Sequence, residues 1–453
     1  MPSPRPRSSD VTGSDLRTVY AWTSGSKAVL GAPGAATVLP AKEQLTGLLP
    51  MQGGALKALN AGPIAFDGPP PAPIADLVDR LLAIGALQVT VTAGDEQLYT
   101  VRPFRGATGG RAEASTGVLS RFTVLRRDGG ELVAENPRSW CDVVVHSGAV
   151  AGALVGGGDT PWTARLWSDL RWTGHAVADD AVETGVFPTA SWSPHELWFH
   201  RRSTVGDRST SWAHFGPTRW ADGRFPPVPA APDSYPGEPI SLPVPDLDVL
   251  TVPLARAVEE RVSTRSFDDA SPMTVNELGE LLYRCARTRG VRTIEKPGTA
   301  TTELPSRPYP SGGSIYELEV YPVIRNVVGV APGMYHYDSI EHVLRPVSAI
   351  DEPAVQRLLS PASLTLADGE RPQVMLTIAA RAGRIMWTYE QMPYAVILKH
   401  VGVLTQTLYL TATAMGLGGV AQGYGDTTAF AEATGRDELM ECNVGTFVVG
   451  RPR

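Results

Sequence analysis

Three residues in the second half of the chain, Arg261, Ser263 and Arg265, alternate at i, i+2 and i+4 where a helical pattern runs out. In an extended segment that spacing points all three side chains the same way. Two guanidiniums and a hydroxyl presented together suit a phosphate dianion, because the Arg fork matches phosphate oxygens in a bidentate manner. An exposed arginine pair is also the ordinary make-up of a solvated face, so the triplet gains weight only from its company. Further on, Gly416, Gly418, Gly419, Gly423 and Gly425 follow a long apolar run. Glycine puts no Cβ in the way, so backbone there can approach a flat ligand closely. Pro310-Ser311-Gly312-Gly313 reads as a turn into an alternating strand, with backbone amides and the Ser311 hydroxyl exposed at the strand's start. Metal and thiol chemistry have no such footing. Cys141, Cys285 and Cys442 lie far apart without a CxxC pair, and His200 has no partner histidine at ligand spacing. Neither a zinc site nor a disulfide framework is expected, and a reducing cytoplasm is the natural compartment.

These residues need a frame. Ala395–Leu417 is nearly uncharged and apolar on every side of a helical wheel, interrupted by Lys399, His400 and Gln406 and followed by no polybasic flank. That predicts a buried central helix held against a partner subunit rather than a membrane span. Thr274–Arg287 reads as an amphipathic helix with Thr274 and Glu277 forming a capping box. Gly333–Val347 reads as a hairpin, and Val374–Ala380 and Gly445–Gly450 as strands. In the first half, Ile74–Leu87 has helical spacing and leads into Gln88–Ala93 and Leu98–Phe104, a hairpin around Gly94-Asp95 with a loop longer than two residues. A helix feeding a two-stranded wing is the outline of a winged helix. Arg121–Arg127, Glu131–Ala134, Cys141–His146 and Ala178–Phe187 suggest a weaker second copy.

The expected class is therefore α+β. The expected divisions are a disordered start plus a first winged-helix-like module (1–110), a second such peptide-clamp module (111–206), a proline-rich linker or strap (207–250) and a third domain (251–453). A chain of 453 residues is too long for one ordinary core. With 43% hydrophobic residues, 19% charged and a net charge of −7, it gives no electrostatic reason to expect nucleic acid. Neither winged-helix-like stretch carries a basic recognition helix, and the first residues lack the apolar core of a signal peptide.

Four stretches resemble the flavin-dependent nitroreductase superfamily, in its SagB-type branch. They are RVSTRSF (Arg261–Phe267), PSGGSIYELEVY (Pro310–Tyr321), PGMYHYD (Pro332–Asp338) and YAVILKHVGVLTQTLYLTATAMGLGGVAQGYGD (Tyr394–Asp426). The wording of the last is similar to cyanobactin-type and thiopeptide-type oxidases, azoline dehydrogenases that also carry tandem winged-helix-like clamps. The resemblance implies a nitroreductase-like FMN domain, a central sheet flanked by helices, with FMN bound non-covalently at a homodimer interface. Arg261, Ser263 and Arg265, helped by Arg451, would hold the phosphate and ribityl chain. Pro310, Ser311 and Gly312 would line the ring system, and Gln422, Gly423 and Tyr424 would present backbone N–H groups to it. Gln406 would complete the cofactor set.

The implied reaction is oxidation of peptide thiazolines or oxazolines to thiazoles or oxazoles during maturation of a ribosomal peptide. The implied partners are a peptide substrate and a cyclodehydratase. Many relatives carry a Lys-Tyr pair after the tryptophan that precedes the central helix. Here the residues after Trp387 are Thr388 and Tyr389, so the tyrosine is present and the lysine is not. Threonine cannot supply a cation to lower the tyrosine pKa, so Tyr389, the proton-handling candidate, would be a poorer base: either Lys399 or another group substitutes, or the substrate is more acidic, or the activity has drifted. The alternatives are a general NAD(P)H-dependent flavin reductase and a weakly active scaffold that docks a cyclodehydratase.

Overall fold

The computed structural model of the protein describes residues 16–111, 116–157, 160–204, 216–295 and 301–453, so the start expected to be disordered lies outside the described residues. The chain separates into two compact units, Met1–Thr210 and Ser211–Arg453.

The N-terminal unit is built on a seven-stranded antiparallel sheet. Its strands are β1 (Leu16–Trp22), β2 (Ile64–Phe66), β3 (Leu87–Ala93), β4 (Glu96–Pro103), β5 (Val124–Asp128), β6 (Glu131–Glu135) and β7 (Cys141–Val145), in the order β2-β1-β3-β4-β7-β6-β5. Along β3, buried Leu87, Val89, Val91 and Ala93 alternate with half-buried Gln88, Thr90 and Thr92, the period of a strand with one face on the core. After helix α1 (Pro50–Ala61), helix α2 (Ala72–Ala83) buries Ile74, Leu77, Val78, Leu81 and Leu82, a stripe at helical spacing. Helix α3 (Thr163–Thr173) adds buried Leu166 and Leu170. The β3–β4 hairpin pairs Ala93 with Glu96, so its loop is the two residues Gly94-Asp95, tighter than the sequence suggested. Gly94 takes the φ of +57° that so short a turn requires. Strands from residues 1–110 and from 111–206 join in this one sheet through β4 and β7, with Val101 opposite Val143.

The C-terminal unit has its own seven-stranded antiparallel sheet: β8 (Ile240–Ser241), β9 (Leu318–Ile324), β10 (Gly333–Asp338), β11 (Val343–Ala349), β12 (Val374–Ala380), β13 (Gly418–Gln422) and β14 (Cys442–Gly450), ordered β8-β11-β10-β9-β12-β14-β13. Every residue of β9 and of β12 is buried. The pattern expected of a one-sided strand after Pro310 is thus replaced by a strand covered on both faces. Its helices include α4 (Leu254–Glu260), α5 (Val275–Ala286), α6 (Ala382–Met386), α7 (Pro393–Ala414) and α8 (Thr427–Thr434), and a further one spans Pro353–Leu359. The capping box at the start of α5 is formed, Thr274 accepting from the Glu277 amide and Glu277 from the Thr274 amide at 2.8 Å.

Helix α7 buries Val396, Ile397, His400, Leu404, Leu408 and Ala412 in one i, i+4 band, while Leu398, Lys399, Gly402 and Gln406 are exposed on the other side. Each fully buried leucine in that band contributes roughly 1.5–3 kcal/mol. The helix ends in a Schellman closure: Gly416 at φ +69° lets the Leu417 N–H reach the Ala412 carbonyl at 2.8 Å. The proline-rich stretch runs over this unit from residue 216 onward. Arg384 donates to the Val228 carbonyl at 2.7 Å, Arg381 to that of Ala230 at 2.8 Å and the Trp387 indole to that of Phe225 at 3.0 Å. Prolines leave carbonyls without competing N–H groups, which is what these donors need.

Candidate functional site

Helix α4 stops at Glu260, and Arg261 turns the chain into extended backbone with φ −59° and ψ 120°. Ser263 then forms a parallel bridge with Gly419 of β13, and the Thr264 N–H donates to the Gly419 carbonyl at 3.0 Å. Tyr409 of α7 ties the two segments together. Its hydroxyl lies 3.1 Å from Ser263 Oγ and accepts the Ala421 N–H at 2.8 Å, while the Arg261 guanidinium sits over its ring at 5.1 Å. Arg261 and Ser263 therefore share one side, as the alternation predicts. Arg265 is exposed, and its carbonyl accepts the Ala367 N–H. Arg451 is drawn elsewhere: its guanidinium donates to Glu277 Oε1 at 2.6 Å, the carboxylate that caps α5.

From Gly419 the strand β13 runs to Gln422, three steps or roughly 10 Å at the rise of a strand, and Gly423 and Tyr424 follow directly. A cavity of about 520 Å³ opens there, walled by Val401 and Thr405 of α7, by the Gln422–Tyr424 turn and by Asn443–Thr446 of β14. Two buried polar atoms in its lining, Gln422 Nε2 and Thr427 Oγ1, have no hydrogen-bond partner. Gln422 Oε1, by contrast, accepts from the Thr365 and Tyr424 hydroxyls at 2.5 and 2.9 Å. Burial pushes the phenols of Tyr394 and Tyr424 and the thiol of Cys442 upward, so these three neighbours of the cavity are held in their neutral forms.

The glycines of this region divide by purpose. A Cβ on Gly418 would lie 2.5 Å from the Thr264 side chain, one on Gly419 would strike the Phe447 ring, and one on Gly425 would lie 2.9 Å from Asn443. Those three are small so that protein neighbours can pack, not so that a ligand can approach, which corrects the sequence reading. Gly423 faces open space beside the cavity.

The Pro310–Gly313 turn also differs from expectation. The Gly312 amide is not free: its N–H donates to His400 Nε2 at 2.7 Å, and Ser311 Oγ accepts the Tyr316 N–H at 3.1 Å. His400 Nδ1 is in turn 2.7 Å from Glu317 Oε1. In the sequence His400 reads only as an interruption of the helix. Its place between Val396 and Leu404, on the buried band at i, i+4 spacing, was the available signal, because a polar side chain there must find a partner.

Tyr389 and Thr388 follow α6. Thr388 is 3% exposed, whereas Tyr389 lines a separate open groove of about 640 Å³ with Arg219, Trp220, Met386, Glu390 and Gln391. Burial pushes the Tyr389 phenol upward. Lys399 and Gln406 lie on the exposed side of α7 and are not among the residues lining either opening. The structure thus brings Arg261 and Ser263 into line with Gln422–Tyr424 along β13, while Tyr389, Lys399, Gln406 and Arg451 are not among the residues that line the cavity there. Among the described residues no cluster of His, Cys, Asp and Glu is arranged to hold a metal ion, and no helix is long and apolar enough to cross a membrane.

Residues 258–451 match the family described as the nitroreductase family. The chain is 30% identical over 190 residues to a candidate nitroreductase of Methanocaldococcus jannaschii, covering 41% of this chain and 85% of that protein. It is 30% identical over 150 residues to the microcin B17-processing protein McbC of Escherichia coli, covering 30% of this chain and 53%, about half, of that protein. Among solved structures, a candidate nitroreductase of Ralstonia eutropha aligns with a TM-score of 0.37 at 23% identity, over 53% of this chain and 99% of the other.

Proposed function

The chain belongs to the nitroreductase family, and from that premise we propose that it is an FMN-dependent dehydrogenase converting peptide thiazolines or oxazolines to thiazoles or oxazoles. The family typically uses FMN. The observation that carries the cofactor reading is the line from Arg261 and Ser263 along β13 to the cavity at Gly423, with two unpartnered buried polar atoms, Gln422 Nε2 and Thr427 Oγ1, in the cavity's lining. An orphaned buried donor is destabilising by roughly 1–3 kcal/mol until something accepts from it, and a flavin carbonyl is a suitable acceptor. Arg261 and Ser263 would hold the phosphate, with Arg265 swinging in from solvent, and Gly423 would leave the ring edge unobstructed. The exposed side of α7, with Leu398 and Gly402, is where a second copy would complete the site as a homodimer.

Bound there, FMN would accept the hydride that leaves the azoline ring. The chain's own task is the Cα proton of that ring. Tyr389 is the residue we assign to it: burial pushes its phenol upward, so it would serve as a weak general base, the small phenolate fraction taking the Cα proton as the hydride leaves. Thr388 supplies no cation, and Lys399 faces away on α7. A substrate whose Cα proton is already acidic, as in an azoline conjugated to a peptide carbonyl, suits so mild a site. The likeness to McbC, which covers about half of that protein, is what favours a peptide azoline over a small nitro compound or quinone. The N-terminal unit would then hold the peptide, and a cyclodehydratase would supply the azoline.

The test is anaerobic. The purified chain should be yellow, and a peptide azoline added without NAD(P)H should bleach the flavin with formation of the azole, read by mass loss of two hydrogens. Bleaching only by NAD(P)H would replace this reading with a general flavin reductase. A colourless protein that FMN cannot reconstitute would leave the scaffold.

A further inference from the structure

Tyr389 shares its groove with a turn from the proline-rich stretch. Within Thr218–Phe225 the Ala221 N–H donates to the Thr218 carbonyl at 2.9 Å and the Phe225 N–H to the Ala221 carbonyl at 3.0 Å. This turn is fastened to the very segment that carries Tyr389. The Thr218 N–H donates to the Trp387 carbonyl at 2.9 Å, the Trp387 indole to the Phe225 carbonyl at 3.0 Å, and the Arg219 N–H to Glu390 Oε1 at 2.8 Å. Thr218 and Ala221 are buried, yet Trp220 between them keeps 47% of its surface open and lines the groove with Tyr389, Met386 and Pro393. An open indole held in place on both sides, beside a phenol, a thioether and a proline ring, is the lining of a binding site rather than an isolated surface residue.

The charge in that lining is closed on itself. Its two charged residues, Arg219 and Glu390, lie 3.8 Å apart side chain to side chain, and the Arg219 N–H binds the same carboxylate. Nothing is left over to attract a charged ligand, so the groove suits a neutral, flat and polarisable group, for which Trp220, Tyr389 and the Met386 sulfur are good neighbours. The groove also borders the cavity assigned to the flavin: Pro393 lines the one and Tyr394, the next residue, lines the other. Resting on the reading of Tyr389 as the proton-handling residue, we propose that Trp220 determines specificity by stacking on an azole ring already present beside the reacting azoline. An azole is uncharged, planar and part of the main chain, so it reaches the groove at a fixed distance from the azoline, at most about 3.6 Å per residue along the peptide. Each azole that forms then improves the grip on the next azoline.

Binding to the full-length protein, followed by fluorescence anisotropy, tests this without turnover. The probes are two fluorescein-labelled peptides that differ at one dipeptide, a pair of thiazoles in one and Gly-Gly in the other. Wild type should bind the bis-thiazole about three- to tenfold more tightly, the effect of one stacked aromatic pair. Trp220→Ala should bring that ratio close to one, and Trp220→Phe should keep most of it. Equal affinity of wild type for the two probes, which needs no variant to fold, would overturn the stacking role, and so would a preference that survives Trp220→Ala. A third probe with Phe-Phe in place of the thiazoles, if it bound as tightly, would overturn the choice of an azole. None of these results touches the dehydrogenase reading, which the anaerobic bleaching decides. A chain that prefers the bis-thiazole but is not bleached by a peptide azoline would keep the subsite and overturn that reading alone.

Discussion

Each unit of this protein buries a carboxylate among arginines, but only one of them seals it. In the N-terminal unit Asp169 is 1% exposed, accepts the Tyr99 hydroxyl at 2.8 Å and pairs with Arg165 and Arg111, whose side chains are 29% and 33% exposed. In the C-terminal unit Glu319 pairs with Arg307 and His336, and the three side chains are 1%, 3% and 2% exposed. Guanidiniums that reach water can be rehydrated when their partner is lost, whereas sealed ones cannot. The first cluster is a cushioned contact. The second is a rigid pin, and it sits at the neck of the loop that carries Pro310–Gly312.

The contrast is sharpest if one partner is removed from the sealed cluster. Arg307→Met should destabilise the C-terminal unit by about 3–5 kcal/mol, because Glu319 is left charged and buried. Urea unfolding followed by circular dichroism measures it, and a loss below about 1 kcal/mol would erase the distinction between the two units. Burial alone would raise the Glu319 carboxyl, but Arg307, with His336 and Arg381, overrides it and holds the group down at about 2. Its folded pKa is therefore below its ordinary 4.5, so its stabilisation is complete above that pH and is lost as pH falls from there through about 2. The shift corresponds to about 3 kcal/mol, and Glu319→Gln should flatten that part of an acid-denaturation profile.

Asp169→Asn is the matching change in the N-terminal unit. Asparagine keeps an acceptor for Tyr99, and the two arginines can turn outward, so the expected loss is about 1–3 kcal/mol. A loss as large as that of Arg307→Met would show that exposure of the partners does not cushion the cluster.

What the sequence disclosed follows the same division between local and distant contacts. The alternation Arg261-Val262-Ser263, the capping box at Thr274 and the strand Val374–Ala380 are local patterns, and each was legible from spacing alone. The single sheet of the N-terminal unit depends on pairing Val101 with Val143, a non-local register that no local period encodes. The glycines at 418, 419 and 425 could not be told from ligand-facing ones, because their reasons are Thr264, Phe447 and Asn443. Gly312 and His400 are 88 positions apart, so their bond was invisible although both residues lay inside recognised motifs. The ion pair of Arg451 with Glu277 spans 174 positions, and no local pattern announces it.

The smallest expected effect is also the finest probe of the contrast. Arg111 touches Asp169 Oδ1 through Nε at 3.2 Å and lies over the Trp172 ring at 4.7 Å. Arg111→Gln removes both contacts, but it leaves Asp169 with Arg165 at 2.9 Å and the Tyr99 hydroxyl. A partly exposed ion pair is worth about 0.2–1 kcal/mol and an exposed cation–π contact about 0.5–1 kcal/mol, so the two together set a ceiling near 2 kcal/mol. Much of that is recovered, because the freed site is at the surface and water can reach the carboxylate that Arg111 covered. A shift in the urea midpoint equivalent to about 1 kcal/mol or less is the expected result, and added salt should shrink it further. If instead Arg111→Gln cost as much as Asp169→Asn, Arg111 would be the lid that seals the cluster, and the N-terminal unit would hold a pinned charge of the same kind as Glu319.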